Sequence, residues 1–363
     1  MKIGILGATG QAGKIIAAKL LSQKAGIPVL FGRYPEKLET LSDSLRHLAS
    51  EKLETAVVDI RDPNALEKAF RKLDFMVIAL SSPENLPAII SAALATGTHC
   101  IDILLGSKEK REVLESYHEL FKKSGICYIT DCGYHPGIPG AMARWADELC
   151  PGLHDVDIFG SFGLNWKAKC FATETIADFT RELKTMDMSI LENSQWKTCL
   201  KNRRFDFNDG RGIRNCIAMG MDEIRIIRQY IPTLNNAGFF IAGFGKVVDW
   251  VVLPSCFAAL ALFPNAKQQI GKFFLWSLGT FCNGDEWAEM RLIGRGKGGT
   301  ITIAVSYDDP YELTAIPVVA CIRQFAMQPA RPGLWRQALY VDPSFFWRNL
   351  QNMGVQVSVT MNR

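Results

Sequence analysis

The residues with the clearest chemical meaning form a glycine-rich turn near the N-terminus. The turn consists of Gly7, Ala8, Thr9, Gly10, Gln11, Ala12 and Gly13. It follows a short apolar segment, Lys2–Leu6, and precedes a helical pattern over 13–23. In such a turn the first glycine ends the strand sharply, the second admits a diphosphate to the backbone, and the third lets helix pack against strand. The free N–H groups of the helix N-terminus attract an anion. The strand before the turn and the helix after it predict a dinucleotide site.

The end of the second predicted strand indicates which dinucleotide binds. Domains that bind NAD usually carry an aspartate or glutamate there, which accepts hydrogen bonds from the ribose hydroxyls. This chain has Phe31-Gly32-Arg33 instead, and an arginine can pair bidentately with a 2′-phosphate. We therefore expect NADP as the cofactor rather than NAD. An Arg33 that only solvates the start of a helix would leave the missing carboxylate unexplained.

Two further strand ends are expected to contact the cofactor, because ligands lie beyond the carboxyl ends of parallel strands. Asp59 and Ile60 close the third predicted strand, where we expect the adenine and where Asp59 can accept from its amino group. Ala79, Leu80 and Ser81 close the fourth, near the ribose on the nicotinamide side. An ordinary loop role for Asp59 is the alternative.

The candidate catalytic residues follow the fifth and sixth predicted strands. Asp102 ends the fifth, where a carboxylate can orient an ammonium or relay a proton; a plain strand-end cap is the alternative. The sixth is followed by Asp131, Cys132, Tyr134 and His135. Tyr134 or His135 can serve as general acid to a developing amine or alkoxide. Cys132 is a candidate nucleophile for which the sequence identifies no partner base.

These residues require a particular set of elements around them. Strand and helix alternate over residues 1–135, which predicts an α/β domain with a Rossmann-type parallel sheet. Residues 136–363 are expected to form a second, α+β domain for substrate binding and dimerisation, with strands near 155–163 and 299–307. A long helical region is predicted over about 222–278. The helical segment at about 309–350 is placed either in this second domain or back on the Rossmann domain.

Composition narrows the function classes. A length of 363 residues favours two domains. The net charge of +4 comes without a run of basic residues interleaved with aromatics, which argues against nucleic acid and suits a small anionic ligand. The ten cysteines include no CxxC pair, and no signal peptide precedes the first strand, so we expect a reducing, cytoplasmic location.

Other features were assigned on weaker patterns. Residues 237–263 are strongly apolar, but Lys246, Asp249 and Pro254 interrupt them, so we expect a buried or amphipathic helical pair that lines a pocket or dimer interface rather than a membrane span. The glycine run 294–299 precedes an apparent strand and predicts a hairpin turn. Four arginines could hold a substrate carboxylate: Arg203, Arg204, Arg211 and Arg214. The alternative is that they belong to a solvated loop.

Taken together, several segments resemble the saccharopine dehydrogenase-like family of NADP-dependent oxidoreductases. They are GATGQAG at 7–13, the strand end at 32–33 with EKL at 36–38, CID at 100–102, GYHPGIPG at 133–140, DPYELTA at 309–315 and DPSFF at 342–346. The resemblance implies a Rossmann domain joined to an α+β substrate domain and hydride transfer to or from a C–N bond of an amino-acid-derived imine. It also implies a homodimer, and some family members reduce other substrates, including lipid-type enoyl groups.

Four alternatives were weighed against this interpretation. A short-chain dehydrogenase needs a tyrosine with lysine four residues on, and none of the eight tyrosines has one. An aldehyde dehydrogenase would use Cys132 with His135, without a supporting motif. A non-catalytic NADP-sensing protein can carry the same glycine turn. A membrane-associated enoyl or lipid reductase is suggested by the apolar region 237–281.

Overall fold

The computed structural model describes residues 1–167, 187–282 and 284–362. The chain divides into two compact units. The first comprises residues 1–141 and 311–354, and the second comprises residues 142–310 and 355–363. The sequence predicts the first domain boundary at residue 135 and does not decide to which domain the segment at about 309–350 belongs. In the structure, residues 311–354 belong to the first unit.

The first unit contains a sheet of seven parallel strands. The strands are β1 (Lys2–Leu6), β2 (Ile27–Gly32), β3 (Thr55–Val57), β4 (Phe75–Ile78), β5 (His99–Asp102), β6 (Cys127–Thr130) and β15 (Gly333–Arg336). Their spatial order is β3-β2-β1-β4-β5-β6-β15. The first six follow the Rossmann order, in which the direction of crossover reverses between β1 and β4. The predicted fold class is therefore confirmed, with one additional strand from the C-terminal part of the chain.

Helices precede or follow these strands in the chain, and the one over 138–149 continues from the first unit into the second. They are α1 (Gln11–Ser22), α2 (Pro35–Ser44), α3 (Pro63–Phe70), α4 (Leu86–Thr96), α5 (Lys108–Ser116), α6 (His118–Lys123), α7 (Ile138–Leu149), α11 (Pro310–Met327), α12 (Gln337–Tyr340) and α13 (Pro343–Asn352). Their starts follow local chemistry: Asp62 accepts from two N–H groups of α3, Ser107 from one of α5 and Asp342 from one of α13. All four side chains of β4 are buried, as expected of a strand with helices on both faces.

The second unit contains a mixed sheet of nine strands. The strands are β7 (Leu153–Gly163), β8 (Ser189–Glu192), β9 (Gln195–Thr198), β10 (Arg203–Asp206), β11 (Ile213–Ala218), β12 (Asn236–Ala242), β13 (Trp287–Gly296), β14 (Gly299–Tyr307) and β16 (Gln356–Asn362). Strands β12 and β7 pair in parallel, and the other pairs are antiparallel. The glycine run 294–299 forms the predicted hairpin turn, because Gly296 faces Gly299 between β13 and β14. The α+β character of this unit is confirmed.

The prediction of one long helical region over 222–278 is wrong. The chain forms α8 (Asp222–Ile227), strand β12, a π-helical turn over Val248–Val252 that continues into α9 (Leu253–Leu262), a 3-10 turn at Pro264–Ala266 and then α10 (Lys267–Phe281). Residues 237–240 are buried in the middle of the sheet between β11 and β7. A short apolar segment that is buried on both sides has the same hydrophobic pattern whether it forms a strand or a helix. The periodicity of the sequence therefore could not distinguish the two.

Two expectations about the chain as a whole can be compared with the described residues. No helix among them is long and apolar enough to cross a bilayer. Nine of the ten cysteines lie in the described residues, and these nine are free thiols. Cys170 lies outside the described residues.

Candidate cofactor and active site

The glycine turn is built so that side chains are excluded from it. Gly7 has a φ of 81°, in the left-handed region that favours glycine. A Cβ at Gly7 would overlap the carbonyl of Ala79 at the end of β4, and a Cβ at Gly13 would overlap the carbonyl of Gly7. The N–H of Ala8 donates to the carbonyl of Phe31 in β2, at 3.1 Å. The turn is thus held between the ends of β1, β2 and β4.

The N-terminus of α1 leaves its donors open to a ligand. Gly10 is the N-cap residue, and no side chain caps the helix. The first turn also contains no acidic residue that would compete with an anion. Because the first N–H groups of a helix have no partner within it, they form a site for a phosphate group. The position next to the β1–β4 reversal is where Rossmann domains hold a diphosphate, so the residues present suit this group.

The end of β2 is a positively charged corner. Arg33 is exposed, and its guanidinium carbon lies 5.6 Å from the ring centre of Tyr34; the Nζ atom of Lys37 lies 4.7 Å from the same ring. At the end of β3, Asp59 accepts from the Nε, Nη2 and backbone N–H of Arg61 at 3.0, 2.7 and 3.0 Å. These hydrogen bonds, and more weakly the charge of Arg33, lower the pKa of Asp59 to about 2. Arg61 and, more weakly, Arg33 therefore act on one carboxylate that is already paired.

This corner adds a residue that sequence reasoning missed. Arg61 was not singled out, although an arginine two positions after an aspartate is a common pairing. Its guanidinium engages both carboxylate oxygens of Asp59, which limits the predicted role of Asp59 as an acceptor for adenine. That role stays a prediction, while Arg61 joins Arg33 as a candidate for the 2′-phosphate.

The end of β4 lies directly beside the glycine turn. The N–H of Ala79 donates to the carbonyl of Leu6 at 2.9 Å. Ala79, Leu80 and Ile60 are half-buried, and Ser81 is exposed. The structure therefore brings Ala79 and Leu80 to the turn, as predicted from the strand order, and leaves Ser81 open to solvent.

A buried charge cluster lies at the carboxyl ends of β5, β6 and β15. It consists of Asp102, Lys110, Asp131 and Arg336. The Nζ atom of Lys110 lies 2.9 Å from Oδ1 of Asp102, and it donates to Oδ1 of Asp131 at 3.0 Å and to the carbonyl of Leu104 at 2.8 Å. Asp102 is fully buried, and Lys110 and Asp131 are nearly so. The Nε atom of Arg336 lies 3.5 Å from Oδ2 of Asp131.

The protonation of this cluster follows from its burial and its opposed charges. Burial raises the pKa of Asp102, and the ammonium of Lys110 opposes that rise. Burial alone would lower the pKa of Lys110, but Asp102 and Asp131 together raise it above its ordinary value. The lysine is therefore charged and holds the two carboxylates in place. Sequence reasoning found the aspartates but missed Lys110 and Arg336, because α5 and β15, which carry these two cations to Asp131, are distant from it in the sequence.

The segment after β6 is a tight turn that leads into α7. The N–H of Cys132 donates to the carbonyl of Asp102 at 3.3 Å, and the peptide bond between His135 and Pro136 is cis. Gly137 has a φ of 126°, and a Cβ there would overlap both the backbone of Gly133 and the side chain of Gln337. The turn is thus tied to β5 on one side and packed against α12 on the other.

The three reactive side chains of this turn differ in what they can do. The ring of Tyr134 meets that of His135 edge to face, with 4.7 Å between centres. Burial lowers the pKa of His135 to about 4, so its imidazole is neutral at pH 7 and is not an imidazolium acid. Burial raises the pKa of Cys132 well above its ordinary value. Its thiol therefore stays protonated, which argues against the predicted nucleophile.

The arginines expected to bind a substrate carboxylate lie in the second unit and pair mainly with its own carboxylates. Arg203 donates to Asp157 at 2.5 Å. Arg211 and Arg214 both pair with Asp209, and Arg214 also donates to the hydroxyl of a serine on β7. Arg204 is exposed. The structure groups Arg211 and Arg214 around one aspartate and leaves their role toward a substrate untested.

Comparison with known proteins identifies the first unit. Residues 3–129 match the saccharopine dehydrogenase NADP binding domain. The fold of the whole chain matches a solved saccharopine dehydrogenase (L-Glu forming) from Saccharomyces cerevisiae, with a TM-score of 0.68, 13% identity and 99% of both chains covered. Residues 3–129 therefore form an NADP-binding domain of the saccharopine dehydrogenase type.

The matched residues include most of the candidate cofactor site. The glycine turn, the Arg33 corner, the ends of β3 and β4, and Asp102 all lie within the matched NADP-binding domain. A short-chain dehydrogenase/reductase from Veillonella parvula in complex with NADP is also similar, at 22% identity over 28% of this chain and 46% of the other, with a TM-score of 0.23. The family match and the fold support an NADP-dependent oxidoreductase.

Proposed function

We propose that this protein transfers a hydride between NADP(H) and a C–N bond of a small, amino-acid-derived imine or amine. The observation that carries the proposal is the uncapped N-terminus of α1 behind a glycine turn, within a matched NADP-binding domain. When bound, NADPH supplies the hydride. The C–N bond is inferred from the family, whose namesake is a saccharopine dehydrogenase.

The cofactor would be held by groups from four strand ends. The N–H groups of Gln11 and Ala12 would bind the diphosphate, and Arg33 with Arg61 would bind the 2′-phosphate. Asp59 and Ile60 would flank the adenine, while Ala79, Leu80 and Ser81 would line the ribose on the nicotinamide side. This arrangement leaves the ends of β5 and β6 for the substrate.

On the substrate side, we assign different roles to the turn and to the charge cluster. Tyr134 and His135 would touch the substrate and carry its proton, with the neutral His135 as hydrogen-bond partner or base. Asp102 is a positioning residue, because its carbonyl accepts from Cys132 and its carboxylate from the N–H of Leu104 at 3.1 Å. Cys132 is given no covalent role, since its thiol stays protonated.

The test is a turnover assay that follows the absorbance of NADPH. Pairs of an amino acid with a keto acid or a semialdehyde supply imines in the reductive direction, and secondary amines with NADP⁺ test the reverse. We expect turnover with NADPH and little with NADH. Tyr134→Phe and His135→Gln should lower kcat/KM by about 10²- to 10⁴-fold, the usual range for a positioned proton carrier. Turnover that is unchanged in both variants would remove these two residues from the mechanism.

A second candidate function is a non-catalytic NADP sensor. It is favoured by one observation: the charges near the ends of β5 and β6 pair with each other, and His135 is neutral at pH 7. A sensor should bind NADP tightly in a titration yet oxidise NADPH with none of the imines, nor with an enoyl substrate. Any NADPH oxidation that depends on Tyr134 or His135 excludes it.

The proposal also includes the setting in which the enzyme works. We place it in the cytoplasm, which the nine free thiols support, as a homodimer acting on a carboxylate-bearing small molecule. Arg204 and Arg211 are candidates for that carboxylate. Light scattering on the purified protein tests the dimer, and Arg204→Ala with Arg211→Ala should raise KM for a carboxylate substrate without lowering kcat.

A further inference from the structure

The surface of the second unit carries an unusual concentration of exposed apolar side chains. Nine large apolar residues between 247 and 281 are exposed, including Trp250 at 63%, Leu262 at 74% and Trp276 at 59%. Proteins rarely leave apolar side chains gathered in this way without an interaction partner. We call the exposed side chains of residues 247–281 the apolar face.

The apolar face follows the outer sides of two helical stretches. In the first, Val247, Trp250, Val251, Phe257 and Leu262 recur at helical spacing and are exposed. In the second, α10, Phe273 and Trp276 stack with their ring centres 5.7 Å apart, and Phe281 meets Trp276 at 6.2 Å. The opposite sides of both stretches pack into one core cluster. The helices therefore have a complete core of their own, and the apolar face is not needed for it.

Two hydroxyls on this face already have hydrogen-bond partners within the protein. The hydroxyl of Ser255 donates to the carbonyl of Val251 at 2.7 Å, and that of Thr280 to the carbonyl of Trp276 at 2.8 Å. Both hydroxyls thus bond back to their own helix, which lowers the penalty for leaving water. Asp249 turns away from the face and accepts from the N–H groups of Phe244 and Gly245.

The charges that remain exposed in this segment all have one sign. They belong to Lys246, Lys267 and Lys272. A second copy of this chain on a two-fold axis would bring these lysines together without an acidic residue of the segment to pair with them. An anionic surface would pair with all three. Helices that lie in a membrane interface typically combine aromatic and aliphatic side chains on one face with lysines beside them.

We propose that the apolar face binds the surface of an anionic lipid bilayer, with the tryptophans and leucine among the headgroups and the lysines on anionic lipid phosphates. The helices lie on the membrane and do not cross it, because no described helix is long enough to span. The inference rests on this surface alone and does not depend on the proposed hydride transfer. It places the enzyme next to a bilayer whatever its substrate is.

The test is co-sedimentation of the full chain with vesicles of phosphatidylcholine alone and of phosphatidylcholine with phosphatidylglycerol. We expect binding to the anionic vesicles that weakens as salt is raised, and a shift of tryptophan fluorescence to shorter wavelength. Leu262→Ser with Trp276→Ser should lower the partition coefficient at least about tenfold, because two large apolar side chains are lost from the interface. The matched control is Leu200→Ser with Tyr230→Ser, since Leu200 is 77% and Tyr230 51% exposed elsewhere in the same unit.

The electrostatic part is tested separately. Lys267→Gln with Lys272→Gln should lower binding to anionic vesicles roughly 30-fold, at about 1 kcal/mol per lysine near the surface. Lys201→Gln with Lys297→Gln should leave it unchanged. An NADP titration of each variant checks that it is folded. The proposal is overturned if the wild type does not bind anionic vesicles, or if the control double variants lose as much binding as the test double variants. It is also overturned if light scattering finds a dimer that Leu262→Ser with Trp276→Ser abolishes while vesicles are not bound.

Discussion

At the scale of single residues, we expect the choice of cofactor to depend on two exposed arginines, Arg33 and Arg61. Arg33→Ala should weaken NADP binding about 10- to 100-fold and leave NAD binding nearly unchanged, because only NADP offers a 2′-phosphate to the guanidinium. Isothermal titration with both nucleotides measures the difference. Arg71→Ala, which removes an exposed arginine paired with Glu67 on α3, is the control. Equal losses for NADP and NAD would refute the assignment.

Lys110 is the residue on which the buried charge cluster depends. Lys110→Met leaves Asp102 and Asp131 buried without their shared cation, so the free energy of unfolding should fall by about 3–5 kcal/mol. Lys108→Met, two residues earlier and exposed at the start of α5, should change it by less than about 0.5 kcal/mol. Urea titrations of both variants provide the comparison. Adding Asp102→Asn to Lys110→Met should recover part of the loss, and no recovery would mean that the lysine acts through packing alone.

The lowered pKa of His135 predicts how the stability of the protein depends on pH. Its pKa falls from the ordinary 6.5 to about 4 in the folded protein. Below pH 6.5 the unfolded chain takes up a proton that the folded protein does not accept until about pH 4. Stability is therefore lost as the pH falls through this window, by on the order of 3 kcal/mol from this residue.

Thermal unfolding between pH 7 and pH 4 checks this expectation. His135→Gln should flatten the pH dependence in that window, while His47→Gln, on an exposed histidine, should not. If the slopes of wild type and His135→Gln coincide, the histidine is accessible to protons in the folded state.

At the scale of elements, the sequence was most informative where one short pattern determines the local structure. The turn at 7–13, the hairpin at 294–299 and the alternation of strand and helix over the first 135 residues could be predicted, because each depends on neighbours in the chain. Strand β12 was missed since its burial depends on β7 and β11. The cations of the site were missed for the same reason: Lys110 and Arg336 reach Asp131 only because α5 and β15 lie beside it in the folded chain.

The packing of α1 against β1 allows a sharp test of one element. Gly13→Ala would place a Cβ against the carbonyl of Gly7, so the helix must shift away from the turn. We expect NADP affinity to fall at least about tenfold, because the N–H groups of α1 move with the helix. At Gly106 a Cβ would meet nothing within 4 Å, so Gly106→Ala should bind NADP as the wild type does. Equal affinity in the two variants would show that the turn does not hold the diphosphate.

At the scale of the whole molecule, the first unit is assembled from two separate parts of the chain. Residues 311–354 supply β15 and three helices, and their side chains include the fully buried Ile316, Phe346 and Leu350. A chain that ends at residue 309 lacks these groups and should lose cooperative unfolding and NADP binding, even though it retains the whole glycine turn. A chain that ends at Gly354 lacks only Val355, β16 and the last residue, and most side chains of β16 are exposed. It should retain both properties.

Thermal unfolding with and without NADP distinguishes the two truncated chains. At 100 times its dissociation constant, NADP adds about 2.7 kcal/mol to the stability of a protein that binds it only when folded. For a protein of this size that raises Tm by roughly 5 °C. We expect this rise in the full chain and in the chain that ends at Gly354, and none in the chain that ends at 309. A full NADP response from the shorter chain would mean that residues 1–141 fold alone, and that β15 and its helices serve the substrate side rather than the cofactor domain.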